Sequence, residues 1–202
     1  MNNNSYNQSN SLSISDLITT GIFSALFAVA TMIGGGIFAC NPVLTYWLPP
    51  AVALVTAPIF LLLIAKVPKR GPVLILGILM GVIMFITGMY WMWSIAYVVF
   101  AILAEIIMGF GKFKNMNMNI LGYIVFSLNP LVTYSMMWIN QKEYLSYLLS
   151  KGTEQAYLDT MAANAHNWML PAIIISTIVL AFIGAIIGKA LLKKQFEKAG
   201  IV

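Results

Sequence analysis

Between Asp16 and Lys66 the chain carries no charged residue, and the same holds from Gly71 to Ala104 and from Asn115 to Gln141. About 20 apolar residues are enough to cross the hydrocarbon core of a bilayer as one helix, so each run is long enough for one span or more. A soluble domain is roughly 25% charged. Here charged residues make up 8% of 202 and hydrophobic ones 60%, with a mean hydropathy of +0.88. These values define an all-α integral membrane protein, and its spans use up nearly the whole length, leaving no room for a separate soluble domain.

Breakers divide the runs. Residues 1–12, opening with "MNNNSYNQSNS", read as a disordered polar tail without apolar period. Ser13 and Asp16 have the spacing of a capping box. Residues 13–202 then form a single domain of six transmembrane helices, over about 16–37, 50–66, 73–87, 90–110, 118–139 and 168–192. Three prolines in "NPVLTYWLPP" predict an irregular segment before the second span, Pro58 predicts a kink within it, and Asn129-Pro130 interrupts the fifth. An even number of spans puts both termini on one side. Lys66, Lys69, Arg70, Lys112, Lys114, Lys189, Lys193, Lys194 and Lys198 fall on that side, and only Lys142 and Lys151 fall opposite. The positive-inside bias makes both termini cytoplasmic. Basic residues spread between spans are orientation signals, so the net charge of +5 implies no nucleic-acid partner.

The long outer connection, residues 140–167, contains apolar pairs four apart, Tyr144 with Leu148 and Tyr157 with Met161. Each piece fits an amphipathic helix on the outer surface. The segment reads either as a lid or as an ordinary surface loop.

Catalytic chemistry is missing from the pattern. The chain has one histidine, one cysteine, no H-E-x-x-H and no G-x-S-x-G. "GAIIGKA", Gly184–Ala190, is one residue short of a phosphate loop and lies inside an apolar helix. Glu105 is the one acid well inside a span, which suits pairing with Lys112 or with the turn at Lys69 and Arg70 better than a proton relay. No catalytic residue, metal site or cofactor is implied, so the chain reads as a non-enzyme.

Binding chemistry is better represented. Asn41, Tyr46, Trp47, Tyr90, Trp93, Tyr97, Asn129, Tyr134, Trp138, His166 and Asn167 fall in the outer or middle part of the bundle. Apolar walls with a few hydrogen-bonding groups suit a small-molecule site, while Trp and Tyr at this depth also form interfacial belts. Asn129 lies deep, so its amide must face protein or a cavity, and Pro130 frees the carbonyl of Phe126. In "TGMYWMWSIAY", Tyr90, Trp93 and Tyr97 share one helical face and Trp91 points away from it; one face suits a pocket and the other the lipid interface. Small residues recur four apart at Gly21 and Ala25, Ser24 and Ala28, Ala181 and Ala185, and Gly184 and Gly188. Helices approach closely along such faces, inside the protein or against a partner chain.

The stretches "DLITTGIFSALF", "APIFLLLIAKVPKRGPVLILGILMGVIMFITG" and "WMLPAIIISTIVLAFIGAIIGKALLKKQFEKAGIV" resemble the Trep_Strep family. That family is similar in pattern to the substrate-binding S components of energy-coupling factor (ECF) transporters. The resemblance implies capture of a vitamin or other micronutrient at the outer face of the cell membrane of a bacterium. It also implies delivery to a coupling transmembrane subunit that carries two ATPase subunits. The docking face would be Gly21, Ser24, Ala25 and Ala28, where the best-known S components have Ala-x-x-x-Ala. Substrate identity does not follow from the resemblance. Two other readings stay open, a stand-alone secondary transporter and a non-catalytic membrane scaffold.

Overall fold

A computed structural model describes residues 11–191 and residue 193. The polar tail expected over 1–12 lies mostly outside the described residues, as do the basic residues from Lys194 onward. All regular structure among the described residues is helical. Five runs are long and apolar enough to cross a membrane: Ile14–Ala39, Leu44–Lys66, Trp91–Phe110, Met116–Ile139 and Met169–Leu191. Pro72–Ile86 is a shorter apolar helix of 15 residues.

The first helix, α1 (Ile14–Ala39), starts on the predicted capping box. The Ser13 N–H donates to Asp16 Oδ2 at 2.8 Å and the Asp16 N–H to Ser13 Oγ at 3.2 Å. Asp16 also pairs with Lys69 Nζ at 2.8 Å, which ties the start of α1 to the basic turn after α2 (Leu48–Lys66). The segment expected to be irregular contains a 3-10 turn, Leu44–Trp47, and α2 then begins at Leu48, two residues before Pro50. Pro49 and Pro50 suit its first turn, where backbone N–H groups have no intrahelical partner. Pro58 sits inside α2 without ending it.

Helix α3 (Pro72–Ile86) begins after Gly71, whose φ of 110° is a conformation that glycine adopts readily. Its free N–H groups are taken by Glu105 on α4 (Trp91–Phe110). Glu105 Oε1 accepts from the backbone of Gly71, Val73 and Leu74 at 2.8–3.0 Å. An acid at a helix N-terminus answers both the orphan donors and the helix dipole. Glu105 thus engages the turn through its backbone rather than through the Lys69 or Arg70 side chains.

The fifth apolar run is not one continuous helix. It consists of α5 (Met116–Phe126) and α6 (Asn129–Ile139), separated at Ser127 and Leu128. Pro130 cannot donate to the Phe126 carbonyl and its ring opposes continuation. Two short helices follow, α7 (Gln141–Ser150) and α8 (Gln155–Ala163), and then α9 (Met169–Leu191).

Small residues set the helix spacing. A Cβ added at Gly184 would lie 2.6 Å from the Leu54 carbonyl oxygen, the one that Pro58 leaves without an intrahelical donor. At Gly188 it would lie 3.0 Å from Pro58 Cα, so the small face of α9 is spent on α2. Gly77 and Gly81 perform the same service between α3 and α4, with an added Cβ 2.8 Å from the Tyr97 and Ser94 carbonyl oxygens respectively. On α1 the two small pairs divide: Ser24 and Ala28 are buried, whereas Gly21 and Ala25 are exposed with open space around Gly21. Around the bundle the exposed side chains are mostly apolar, among them Ile22, Val29 and Ile33 on α1, Ile102 and Ile106 on α4, and Ile175 and Val179 on α9. That is the cover lipid requires.

Gly77→Ala and Gly81→Ala are therefore expected to lower the thermal stability of the detergent-solubilised protein by about 1–3 kcal/mol, the usual cost of overpacking. Gly21→Ala, at a helical position with open space beside it, should leave it unchanged or raise it slightly. Thermal unfolding of the three variants, followed by circular dichroism, checks the contrast.

Candidate functional site

Away from the basic turns, the helix ends enclose a cavity of about 420 Å³. Thr31, Gly35 and Gly36 of α1 form one wall and Thr45 and Leu48 the next. Met84 and Thr87 at the end of α3, with Met89, Tyr90 and Trp93, form a third. Thr133 and Tyr134 come from α6. Tyr144, Leu148, Tyr157 and Met161 close it from α7 and α8. None of the lining side chains carries a charge.

The floor depends on the break between α5 and α6. Asn129 Nδ2 donates to the Phe126 carbonyl at 2.7 Å, the carbonyl that Pro130 deprives of a partner. Asn129 Oδ1 accepts from Trp93 Nε1 at 2.7 Å. The indole is thereby fixed and shows the cavity its ring rather than its N–H. Tyr97 stacks behind it, with ring centroids 6.2 Å apart and planes at 7°. Phe126, Phe60 and Tyr123 continue the aromatic layer inward at centroid spacings of 5.0–5.9 Å.

Residues 141–163 form a cover fastened by tyrosine hydroxyls from both sides. Tyr46 donates to the Met161 carbonyl at 2.9 Å and Tyr90 to Glu143 Oε1 at 3.2 Å. From the cover, Tyr147 donates to the Met89 carbonyl at 3.2 Å and Tyr157 to the Ala39 carbonyl at 2.9 Å. Tyr144 is buried, and its ring meets Tyr90 edge-on at 5.2 Å. Burial pushes the Tyr144 and Tyr157 phenols above their ordinary range, so both stay neutral at physiological pH.

Of the residues singled out from the sequence, Tyr90, Trp93 and Tyr134 line the cavity. Trp91 is exposed on the other side of α4 while Tyr90, Trp93 and Tyr97 are buried, which decides between the two faces. Asn129 and Tyr97 act on the cavity through Trp93. Tyr46 and Trp138 pack together 5.6 Å apart behind Tyr134. Trp47 is half-buried against the core. Asn41 is exposed, and its side-chain oxygen accepts from the Val43 and Leu44 N–H groups in the turn before α2. His166 and Asn167 are exposed near the start of α9, with His166 stacked on Trp168.

Thr133 was not among those candidates. It is 3% exposed, lines the cavity, and its hydroxyl has no partner among the described residues. Thr20, Thr31, Thr56 and Thr177 return their hydroxyls to the carbonyl four residues back, as a threonine inside an apolar helix normally does. Thr133 departs from that habit, a feature of side-chain geometry with no counterpart in residue spacing.

Fold and site together describe a multi-pass integral membrane protein with a covered, charge-free cavity at one end. A model of a family described as hypothetical bacterial integral membrane proteins, Trep_Strep, matches residues 14–198, and the chain belongs to that family. No curated protein and no solved structure matches it.

Asn129 and Thr133 should respond oppositely to loss of their polar groups. Asn129→Leu strands the Trp93 N–H and the Phe126 carbonyl, and is expected to cost about 1–3 kcal/mol per group left unpaired. Thr133→Val removes a desolvated hydroxyl and keeps the shape, so the ligand-free protein should be as stable or slightly more so. Thermal unfolding in detergent separates the two.

Proposed function

We propose that this protein is the substrate-binding S component of an ECF-type importer, capturing a small micronutrient in the covered cavity and passing it to an ATP-driven coupling module. The observation that carries this reading is the cavity itself, of small-molecule size, walled by aromatic rings and hydroxyls and closed by α7 and α8. On this reading α3 is a sixth, short span. Both termini are then cytoplasmic by the positive-inside bias, and the cavity opens toward the outside. Membership in a bacterial integral membrane family agrees with a transporter component.

The partners would be a coupling transmembrane subunit and two ATPase subunits, with docking on α1. Of the four residues the resemblance nominates, Gly21 and Ala25 are exposed and available to a partner, whereas Ser24 and Ala28 are buried. A stand-alone secondary transporter is less well supported. Its one intramembrane acid would be Glu105, and that carboxylate is engaged by three backbone N–H groups.

Gly21→Trp and Ala25→Trp should abolish co-purification with the coupling module while the purified chain still holds its small molecule, detected by mass spectrometry. Complexes that survive both changes would remove α1 as the docking face. Uptake by the chain in vesicles without ATP would remove the importer reading itself.

A further inference from the structure

The chemistry of the cavity limits what it holds, an argument that rests on reading it as a small-molecule site. A buried carboxylate or phosphate needs a cationic or strongly donating partner, and a buried primary ammonium needs acceptors for its three N–H groups, which aromatic faces satisfy only in part. The lining offers neither sign of charge. Glu143, whose carboxylate reaches the lining residue Tyr90, is occupied by the Tyr90 hydroxyl and by the Asn140 amide at 2.6 Å. Several hydroxyls in the lining are already committed. Thr31 and Thr87 bond to carbonyls of their own helices, and Thr45 shares a hydrogen bond with Tyr134 at 3.2 Å. Thr133 keeps a buried hydroxyl without a partner among the described residues.

The way in is also marked. The cover is held by four tyrosine hydrogen bonds, but the wall between the last turns of α1 and α3 is open, because Met32, Gly36, Thr87 and Met89 line the cavity and are exposed. Around this gap Ile33, Phe85 and Ile86 are 64%, 66% and 76% exposed. This rim is mostly apolar, with the Lys151 side chain beside Gly88 at its edge, and such a face belongs against lipid rather than water. We propose that the cavity binds an uncharged, ring-bearing compound that partitions into the membrane, enters sideways between α1 and α3, and gives one hydrogen bond to Thr133.

Three shape-matched probes test it on the full chain in lipid nanodiscs, with empty nanodiscs subtracted: naphthylmethanol, naphthoate and naphthylmethylammonium. The neutral alcohol should bind at least about tenfold more tightly than either ion, roughly the worth of one buried charge left unpaired at its lower limit. Thr133→Val should weaken the alcohol about tenfold, and leave naphthalene, which has no hydroxyl, unchanged. Gly36 has open space beside it. Gly36→Phe should therefore fold, and it should slow loading of the alcohol in stopped flow by roughly tenfold, as a narrowed route does. Ile178→Phe on the lipid face of α9 should load at the wild-type rate. Either ion binding as tightly as the alcohol overturns the proposal, as does failure of all three probes to bind. Equal loading by Gly36→Phe, or equal loss of naphthalene and alcohol in Thr133→Val, overturns it too. Assembly with a coupling module is independent of every one of these outcomes, so the importer reading stands or falls separately.

Discussion

A helix interrupted inside an apolar layer leaves backbone carbonyls facing surroundings that cannot solvate them, at a cost of several kcal/mol per group in lipid. Asn129 resolves that problem at the junction of α5 and α6 with one side chain. Its N–H group closes the Phe126 carbonyl, and its oxygen takes the Trp93 N–H. The position of Trp93 then sets that of Tyr97 behind it, and Phe126 receives both Tyr97 and Phe27 rings. The cavity floor is therefore a consequence of repairing a proline break. The ring that faces the cavity is held by the same hydrogen bond that makes the break tolerable.

Close backbone approach is the second constraint, and it explains why a cavity can exist between tightly packed helices. Where Gly184 and Gly188 meet α2, and Gly77 and Gly81 meet α4, no side chain holds the axes apart. Near the other end Gly35 approaches Leu48 and Val52 from α1, with an added Cβ 3.2–3.3 Å from their side chains. Around that contact the wall of α1 offers the cavity Thr31, Met32, Gly35, Gly36 and Ala39, with no aromatic side chain among them. Small residues thus tighten the bundle below and leave it unfilled above.

Much of this was legible in the sequence, for reasons that can be named. The all-helical build and the placement of the five long apolar runs follow from charge-free runs and prolines, because lipid admits few alternatives. The break inside the fifth run and the short α7 and α8 make the helices more numerous than the six expected. The inward face of α4 follows from periodicity, since Tyr90, Trp93 and Tyr97 lie on one side of a helix whatever it packs against. The freed carbonyl at Phe126 follows from Pro130 alone. What was illegible depends on distance across the fold. Asn41 looked like a ligand contact and caps a turn; Glu105 looked like half of an ion pair and caps a helix. Gly77 and Gly81 stand four apart, the spacing that permits close approach, but that they meet the Tyr97 and Ser94 carbonyls of α4 depends on the fold. Thr133 is the clearest case. A threonine hydroxyl in an apolar helix is ordinarily invisible because its own backbone satisfies it, and only coordinates reveal that this one is unspent.

Charge is partitioned between the two ends of the molecule, and the partition bears on how work could be done here. At the basic end Asp16 is paired with Lys69 and Glu105 is bound to the N-terminus of α3. Both acids brace turns. At the cavity end the lining is neutral, and the hydroxyls of Tyr46, Tyr90, Tyr147 and Tyr157 hold the cover. Each of those bonds is modest, about 0.5–1.5 kcal/mol net. Together they can keep a cover closed and still be broken by a few kcal/mol of outside work. Three of the four end on backbone carbonyls, and only that of Tyr90 ends on a carboxylate, Glu143. Loss of the Glu143 bond alone leaves the other three in place, so on the importer reading proposed above the work that opens the cover comes mainly through the helices that anchor it.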